Sequence, residues 1–387
     1  MQTKRLAIVV THPIQYHAPL FKLLSTHESL NLKVFYTLGV SSAEVTDKGF
    51  GKAINWDIPL LDGYAYKFLK NVSKEPGTSH FKGIVNPTII EDIRDYQPTD
   101  ILVFGWNFDS HLKVLKYFKN KVTVYFRGDS TLLDESKGLK VLLRRLVLKW
   151  VYRNVDKAFF VGTNNKQYFL KHGFSERDLV FAPHAIDNER FGNDEDNIIA
   201  AKLIREDLGI PEIDIVFLFT GKFEYKKNPL LLIKAFKRMA KSNVHLLLVG
   251  NGKLEEELKQ EAKGWPTIHF LPFQNQSKMP ATYRAADVLV LPSAGPGETW
   301  GLCINEAMAC GRPIIASNKV GCAVDLVQGK RNGFIFDSGN IEDLTSCLTL
   351  LASLPKEELR RMGNASKIII KKWSYEQIKD AIVTTLK

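Results

Sequence analysis

Glu298 and Glu306 stand eight positions apart in GETWGLCINEAMACGRP, residues 297–313. The stretch follows an apolar run, Val288-Leu-Val-Leu, and a Pro/Gly/Ser loop, and its pattern predicts a helix from about Gly301. Were the whole segment helical, the two acids would be ~12 Å apart at 1.5 Å per residue. They therefore do not grip one small group together. Two acids around a helix N-terminus suit a long ligand, with hydroxyls at each end and an anion between. The N–H groups near Gly301, Leu302 and Cys303 would take the anion. A nucleotide sugar, with ribose, diphosphate and sugar, has that layout. The competing reading makes Glu298 a helix N-terminal charge and Glu306 an exposed helix acid.

A second candidate is Gly221-Lys222-Phe223-Glu224-Tyr225-Lys226-Lys227-Asn228-Pro229. It leaves a strong strand, IVFLFTG, and enters an amphipathic helix, PLLLIKAFKRM. Glycine lets the backbone turn sharply, and lysines beside a helix N-terminus attract an anion. The phosphate loop Gly-x-x-x-x-Gly-Lys-Ser/Thr is absent. A solvated basic turn is the alternative reading.

These residues need a scaffold, and the sequence describes one. Short apolar runs alternate with helical segments. The first half has Leu6 to Thr11, Leu32 to Thr37, Asp100 to Gly105, Val122 to Phe126, Lys157 to Val161 and Leu179 to Phe181. The second has Ile213 to Gly221, Val244 to Gly250, Ile268 to Leu271, Val288 to Pro292, Arg312 to Ala316 and Gly333 to Phe336. Such alternation predicts an α/β chain of two Rossmann-like doubly wound domains facing across a cleft. Open parallel sheets bind ligands beyond the carboxyl ends of their strands, where both candidate loops fall. The acidic connector PHAIDNERFGNDEDN, residues 183–197, is the expected boundary. The expected domains are 1–197 for acceptor and 198–370 for donor, with a helix in 371–387 packing back towards the first.

A chain of 387 residues with 45% hydrophobic and 25% charged residues supports two ordinary cores. Its apolar runs are far shorter than a membrane-spanning helix needs. The start, MQTKRLAIVVTHP, reads as a first buried strand and not as a signal peptide, so a cytoplasmic location is expected. Cys303, Cys310, Cys322 and Cys347 form no Cys-x-x-Cys pair, and no histidine cluster has zinc-like spacing. Reduced buried thiols and no structural metal are expected.

The second half resembles glycosyltransferase family 4, retaining enzymes of the GT-B fold such as those that build bacterial cell-surface polysaccharide and lipopolysaccharide. The matching pieces lie in order across residues 213–340. They are Gly221-Lys222-Phe223 with Lys227, Leu248-Val249-Gly250-Asn251-Gly252, Tyr283-Arg-Ala-Ala-Asp287, Leu291-Pro292-Ser293, Glu298 through Pro313, and Asn332-Gly333. The first half matches through His12-Pro13, Pro183-His184-Ala-Ile-Asp187 and Phe191. The resemblance implies that Glu298 contacts the transferred sugar and Glu306 the ribose hydroxyls. It implies that Lys222 and Lys227 bind the diphosphate and stabilise the leaving nucleotide without a metal or other cofactor. Gly221, Thr299, Trp300, Gly301, Leu302 and Cys303 join the donor set, and the loop at Phe273 and Gln274 would read the base. Gly250 and Gly252 read as a strand-to-helix turn. Lys222 stands where the family usually has Arg, and THPIQYHAPL replaces a glycine-rich first loop. Arg127-Gly128-Asp129 stands where a histidine is usual, so Arg127, Asp129 and His184 are the candidates for facing the sugar. His12 and His17 are read either as acceptor contacts or as local capping and packing.

Net charge is +11, and residues 137–157 hold seven basic residues and one acid. There Leu139, Leu143, Leu146, Val147 and Trp150 form one helical stripe, read as a core face. The rest mixes Arg144, Arg145, Lys149 and Arg153 with Val141, Leu148 and Tyr152, which suits an anionic membrane surface or a solvated helix. No nucleic-acid module is recognisable, and no nucleic-acid partner is expected. The resulting expectation is a glycosyltransferase, peripheral on the inner face of the cell membrane. It would move a hexose or related sugar from a UDP- or GDP-sugar to a glycan hydroxyl, with a lipid-linked acceptor. The rivals are a nucleotide-sugar 2-epimerase and a non-catalytic nucleotide-sugar-binding protein.

Overall fold

A computed structural model of the chain describes residues 3–39, 46–47, 52–53, 56–136, 138–192 and 195–386, with backbone alone at 46–47 and 52–53. Lys137 of the basic stretch and residues 193–194 of the connector lie outside the described residues. The chain forms two units. The first comprises residues 1–45, 54–183 and 375–387, and the second 46–53 and 184–374.

The first unit holds a seven-stranded sheet. Its strands are β1 (Lys4–Val10), β2 (Leu30–Tyr36), β5 (Ala65–Phe68), β6 (Asp100–Phe104), β7 (Thr123–Arg127), β8 (Lys157–Phe160) and β9 (Leu179–Phe181). A short antiparallel pair, β3 (Thr46–Asp47) and β4 (Lys52–Ala53), interrupts the numbering. The order is β5-β2-β1-β6-β7-β8-β9, with every neighbour parallel. The second unit has β10 (Ile215–Thr220), β11 (Val244–Val249), β12 (Ile268–Leu271), β13 (Val288–Leu291), β14 (Ile314–Ser317) and β15 (Gly333–Phe336). These are also parallel, ordered β12-β11-β10-β13-β14-β15.

Parallel strands covered on both faces read as continuous apolar runs, and β10 and β11 are buried at every residue. The expected strands all form, with ends shifted by a residue or two. β5 is not among the expected strands: AYKF lies at the sheet edge and is mostly exposed, so it carries no apolar run. Each sheet reverses its winding at one place, between β1 and β6 in the first and between β10 and β13 in the second. Such a reversal splays the following loops apart and opens a crevice at the strand ends.

The division between units falls at Pro183/His184, ahead of the expected 197/198. The connector is not a loose linker. The Arg190 guanidinium donates to the Gln276 carbonyl at 2.5 Å and to Gln276 Oε1 at 2.8 Å. Arg284 Nη2 donates to the Phe191 carbonyl at 2.6 Å, and the Phe191 ring is buried beside Tyr283. The last helix, Tyr375–Leu386, joins the first unit, where it packs on helix Ala18–Ser25 and its Thr385 carbonyl accepts from Tyr125 Oη at 3.3 Å.

A second correction concerns helix Leu139–Tyr152. The stripe read as a core face points to solvent: Leu139 is 80% exposed, Leu143 63% and Trp150 45%, with Leu146 and Val147 also exposed. Leu148, Val151 and Tyr152 are the residues buried in the first unit's core. The four cysteines are free thiols, and the described residues contain no cluster suited to a metal. Among them, no helix is long and apolar enough to cross a membrane.

Candidate functional site

The loops after β10 and β13 straddle the reversal of the second sheet, and Lys227 and Glu298 meet there. Lys227 Nζ lies 2.7 Å from Glu298 Oε2, and Ser293 Oγ donates to the same oxygen at 3.0 Å. The Ala294 N–H donates to the Lys226 carbonyl at 2.8 Å, tying one loop to the other. Glu298 is 7% exposed and Glu306 3%. Glu306 is therefore not the exposed helix acid of the competing reading, and Glu298, read there as a helix N-terminal charge, is buried with partners, as a buried carboxylate requires.

Glu306 has its own support. Tyr283 Oη donates to Glu306 Oε2 at 2.6 Å, and Thr220 Oγ1 lies 3.1 Å from the same phenol. Burial, and then the Glu306 charge, push the Tyr283 phenol far above its ordinary range, so it stays a donor. Cys303 lies between the two acids. Burial pushes its thiol up to about 12 against the pull of Lys227, with Glu298 and Glu306 adding to the rise. It is therefore a neutral thiol and not a nucleophile. Burial alone would lower the Lys227 ammonium, but the Glu298 carboxylate reverses this and leaves it raised. Lys227 thus stays cationic through the neutral range.

The helix itself runs Leu302–Ala309, with Gly301 as its N-cap at φ +98°. That angle favours glycine, and a Cβ there would press on Val320 and Leu291. The loop before it is held from behind: Gly321 N–H donates to the Glu298 carbonyl and Cys322 N–H to the Trp300 carbonyl, both at 3.0 Å. Trp300 Nε1 donates to Asn305 Oδ1 at 2.9 Å, and Asn305 Nδ2 donates to the His184 carbonyl at 3.1 Å. The His184 ring sits 5.4 Å from the Trp300 ring. His184 thus belongs with the loop-helix in the second unit. Thr299 is half-buried between Glu298 and Trp300.

Gly221 and the half-buried Lys222 stand where the backbone leaves β10. The loop is knitted to the one after β11, since Phe223 N–H donates to the Asn251 carbonyl at 3.0 Å. A Cβ on Gly250 would overlap the Gly221 carbonyl, and one on Gly252 the Phe223 backbone. These glycines are required for close approach of two loops, beyond the simple turn expected of them. Asn251 Oδ1 also accepts from the Phe273 N–H at 2.9 Å, and Gln274 Nε2 donates to the Pro272 carbonyl at 3.0 Å.

Arg127 and Asp129 lie in the first unit. Arg127 is buried, and its guanidinium donates to the Ala182 and Pro183 carbonyls at 2.6 and 2.8 Å. Burial pulls it down to about 10, against the pull of Asp129. This geometry makes Arg127 a clamp on the chain after β9. Tyr283, Thr220, Ser293, Asn305 and Gly321 complete the neighbourhood, and sequence reasoning did not single them out for it. Tyr283, Ser293 and Asn305 lie inside the motif pieces quoted from the sequence, and that is the signal that points to them.

Residues 201–368 match the family described as glycosyl transferases group 1. A D-inositol 3-phosphate glycosyltransferase of Corynebacterium glutamicum is 30% identical over 251 residues, 59% of this chain and 56% of that protein. The chain spans about half the length of the curated relatives it matches. Among solved structures, Anabaena HepE in complex with UDP and glucose aligns over 99% of both chains at 16% identity and TM-score 0.73. WaaG, a glycosyltransferase involved in lipopolysaccharide biosynthesis, aligns over 98% of both at 14% identity and TM-score 0.67. Residues 201–368 thus resemble the glycosyl transferases group 1 family, and with its two parallel sheets the chain has the GT-B fold of these solved structures.

Proposed function

We propose that this protein transfers a sugar from a UDP- or GDP-sugar to a hydroxyl of a glycan acceptor, with retention of configuration and without a metal. The observation that carries the reading is the buried Lys227–Glu298 pair beside the Glu306–Tyr283 pair at one helix N-terminus. Lys227 and the helix N–H groups present positive charge to a diphosphate. Lys222, at the mouth of the same loop, adds a second cation. Glu306 accepts the ribose hydroxyls, Glu298 those of the sugar, and the loop at Phe273 and Gln274 faces the base. The glycosyl C–O bond breaks as charge builds on the leaving diphosphate, where Lys227 acts most strongly. The acceptor oxygen bonds to the same face of the sugar, and its proton passes to the departing phosphate oxygen. That a protein of this fold was solved with UDP and glucose favours UDP. That another acts in lipopolysaccharide biosynthesis favours a lipid-linked glycan acceptor.

The reading is tested by following nucleoside diphosphate release from UDP- and GDP-sugars, with and without a divalent-metal chelator. Release from one donor, undiminished by chelator, is expected. Release that needs added metal contradicts metal independence, and conversion of donor to an epimer contradicts transfer. The role of Tyr283 has its own test. Tyr283→Phe removes one hydrogen bond to a charged group, so UDP affinity should fall roughly tenfold, at ~1.5 kcal/mol for such a bond. A 2′,3′-dideoxy analogue lacks the diol that Glu306 would hold, and its affinity should not change. An equal loss for both ligands would make Tyr283 a general packing residue.

A further inference from the structure

Helix Leu139–Tyr152 carries apolar residues on two opposite faces. Leu148, Val151 and Tyr152 face the core of the first unit, and Arg145 pairs with Glu135 at 2.8 Å on that side. Lys171 joins the same carboxylate at 2.7 Å, and the Arg145 hydrogen bond, helped by Lys171, holds Glu135 down to about 2. The helix is thus fixed to its unit by contacts that do not involve its outer face. That outer face presents Leu139, Leu142, Leu143, Leu146, Val147 and Trp150, all exposed, at i, i+3, i+4, i+7, i+8 and i+11. At 3.6 residues per turn these positions form one ridge along the helix. The same periodicity sets Lys140 and Arg144 along one flank and Lys149 along the other, and Arg153 caps the ridge's C-terminal end. The helix contains no acid. Beside it, Lys116 lies over the Trp150 ring at 5.3 Å, and Lys113 is also exposed on helix Asp109–Phe118.

We propose that this ridge is a docking face for an anionic phospholipid bilayer, inserting its leucines and Trp150 at headgroup depth while the flanking cations meet lipid phosphates. An apolar stripe bordered on both sides by Lys and Arg is what an interfacial helix requires, since burial of the ridge and attraction of the flanks act together. Two copies of the ridge packed face to face would bring eight like charges together, so charge complementarity selects the anionic surface over a second copy. The proposal does not depend on glycosyl transfer.

Co-sedimentation of the full chain with phosphatidylglycerol–phosphatidylcholine vesicles and with pure phosphatidylcholine vesicles tests it. The wild type should bind the anionic vesicles, and high salt should release it. Arg144→Ala/Lys149→Ala should weaken binding roughly thirtyfold, the effect of removing two surface cations. Leu143→Glu/Leu146→Glu should weaken it roughly a hundredfold or more, since both side chains lose their buried apolar area. Both pairs are exposed, so thermal melts of the variants should match the wild type. Equal binding to neutral and anionic vesicles, no binding by the wild type, or unchanged binding by either variant would overturn the proposal. A wild-type dimer that becomes monomeric in the leucine variant, with no vesicle binding, would assign the ridge to a second copy.

Discussion

Lys227→Met is expected to lower donor turnover by two to three orders of magnitude and to destabilise the second unit, through two separable effects. The catalytic loss follows from removing a cation aimed at developing charge, which costs ~10²–10³ in rate where such groups have been deleted. The stability loss has another source. Glu298 is 7% exposed, and without Lys227 the Ser293 hydroxyl still donates to it but no longer beside a cation. A buried charge stripped of its ion partner costs roughly 3 kcal/mol. Adding Glu298→Gln removes that charge, and Ser293 Oγ can still donate to the amide oxygen. The double variant should therefore recover most of the thermal stability and none of the turnover. Chemical denaturation beside a turnover assay reads both. If the double variant stayed as unstable as Lys227→Met, the pair would not be the source of the loss. If Lys227→Met kept wild-type turnover, Lys227 would serve the fold alone.

Gly321→Ala should act at a distance from any ligand. A Cβ at Gly321 would run into the Thr299 carbonyl oxygen and press on the Trp300 nitrogen, and both are backbone atoms that cannot swing aside. The loop Glu298–Trp300 must shift, and it would lose the Gly321 N–H bond to the Glu298 carbonyl. Overpacking of this kind costs ~1–3 kcal/mol, and a misplacement of ~1 Å in a catalytic group costs ~10²-fold in rate. A melting curve and a turnover assay on this one variant are sufficient. Wild-type turnover in Gly321→Ala would show that the 321–322 backbone does not set the position of Glu298.

The parallel strands and the two acids were legible in the sequence for the same reason. A strand covered on both faces leaves a run such as IVFLFT, and the loop that follows it in a doubly wound sheet must lie at the binding edge. The pattern therefore sets Glu298 in a loop and Glu306 in the following helix, as they are found, while their burial is not readable from it. Burial depends on Tyr283, Ser293 and Lys227, which reach them from 23, 5 and 71 residues away in sequence. Gly321 gave no signal, because close approach to Thr299 is a property of the fold and not of its neighbours in sequence. The helix Leu139–Tyr152 misled for a physical reason: it is apolar on two faces, and the longer, leucine-rich one resembles a core stripe although it faces solvent. An acidic, polar segment reads as linker, which sets the expected domain edge at its far end, 197/198, while the units divide at its start, Pro183/His184. Here Arg190, Phe191 and His184 dock it onto the second unit.

The role proposed for the loop-helix of the second unit is to hold both ends of a nucleotide sugar around a diphosphate. Calorimetric titration of UDP and GDP into the wild type, Lys227→Met and Glu306→Gln tests it most directly. The wild type should bind one nucleotide, and both variants should bind it more weakly, each by roughly tenfold or more for a lost charge-assisted contact. A folded wild type that binds neither nucleotide, or variants that bind as tightly as the wild type, would contradict it.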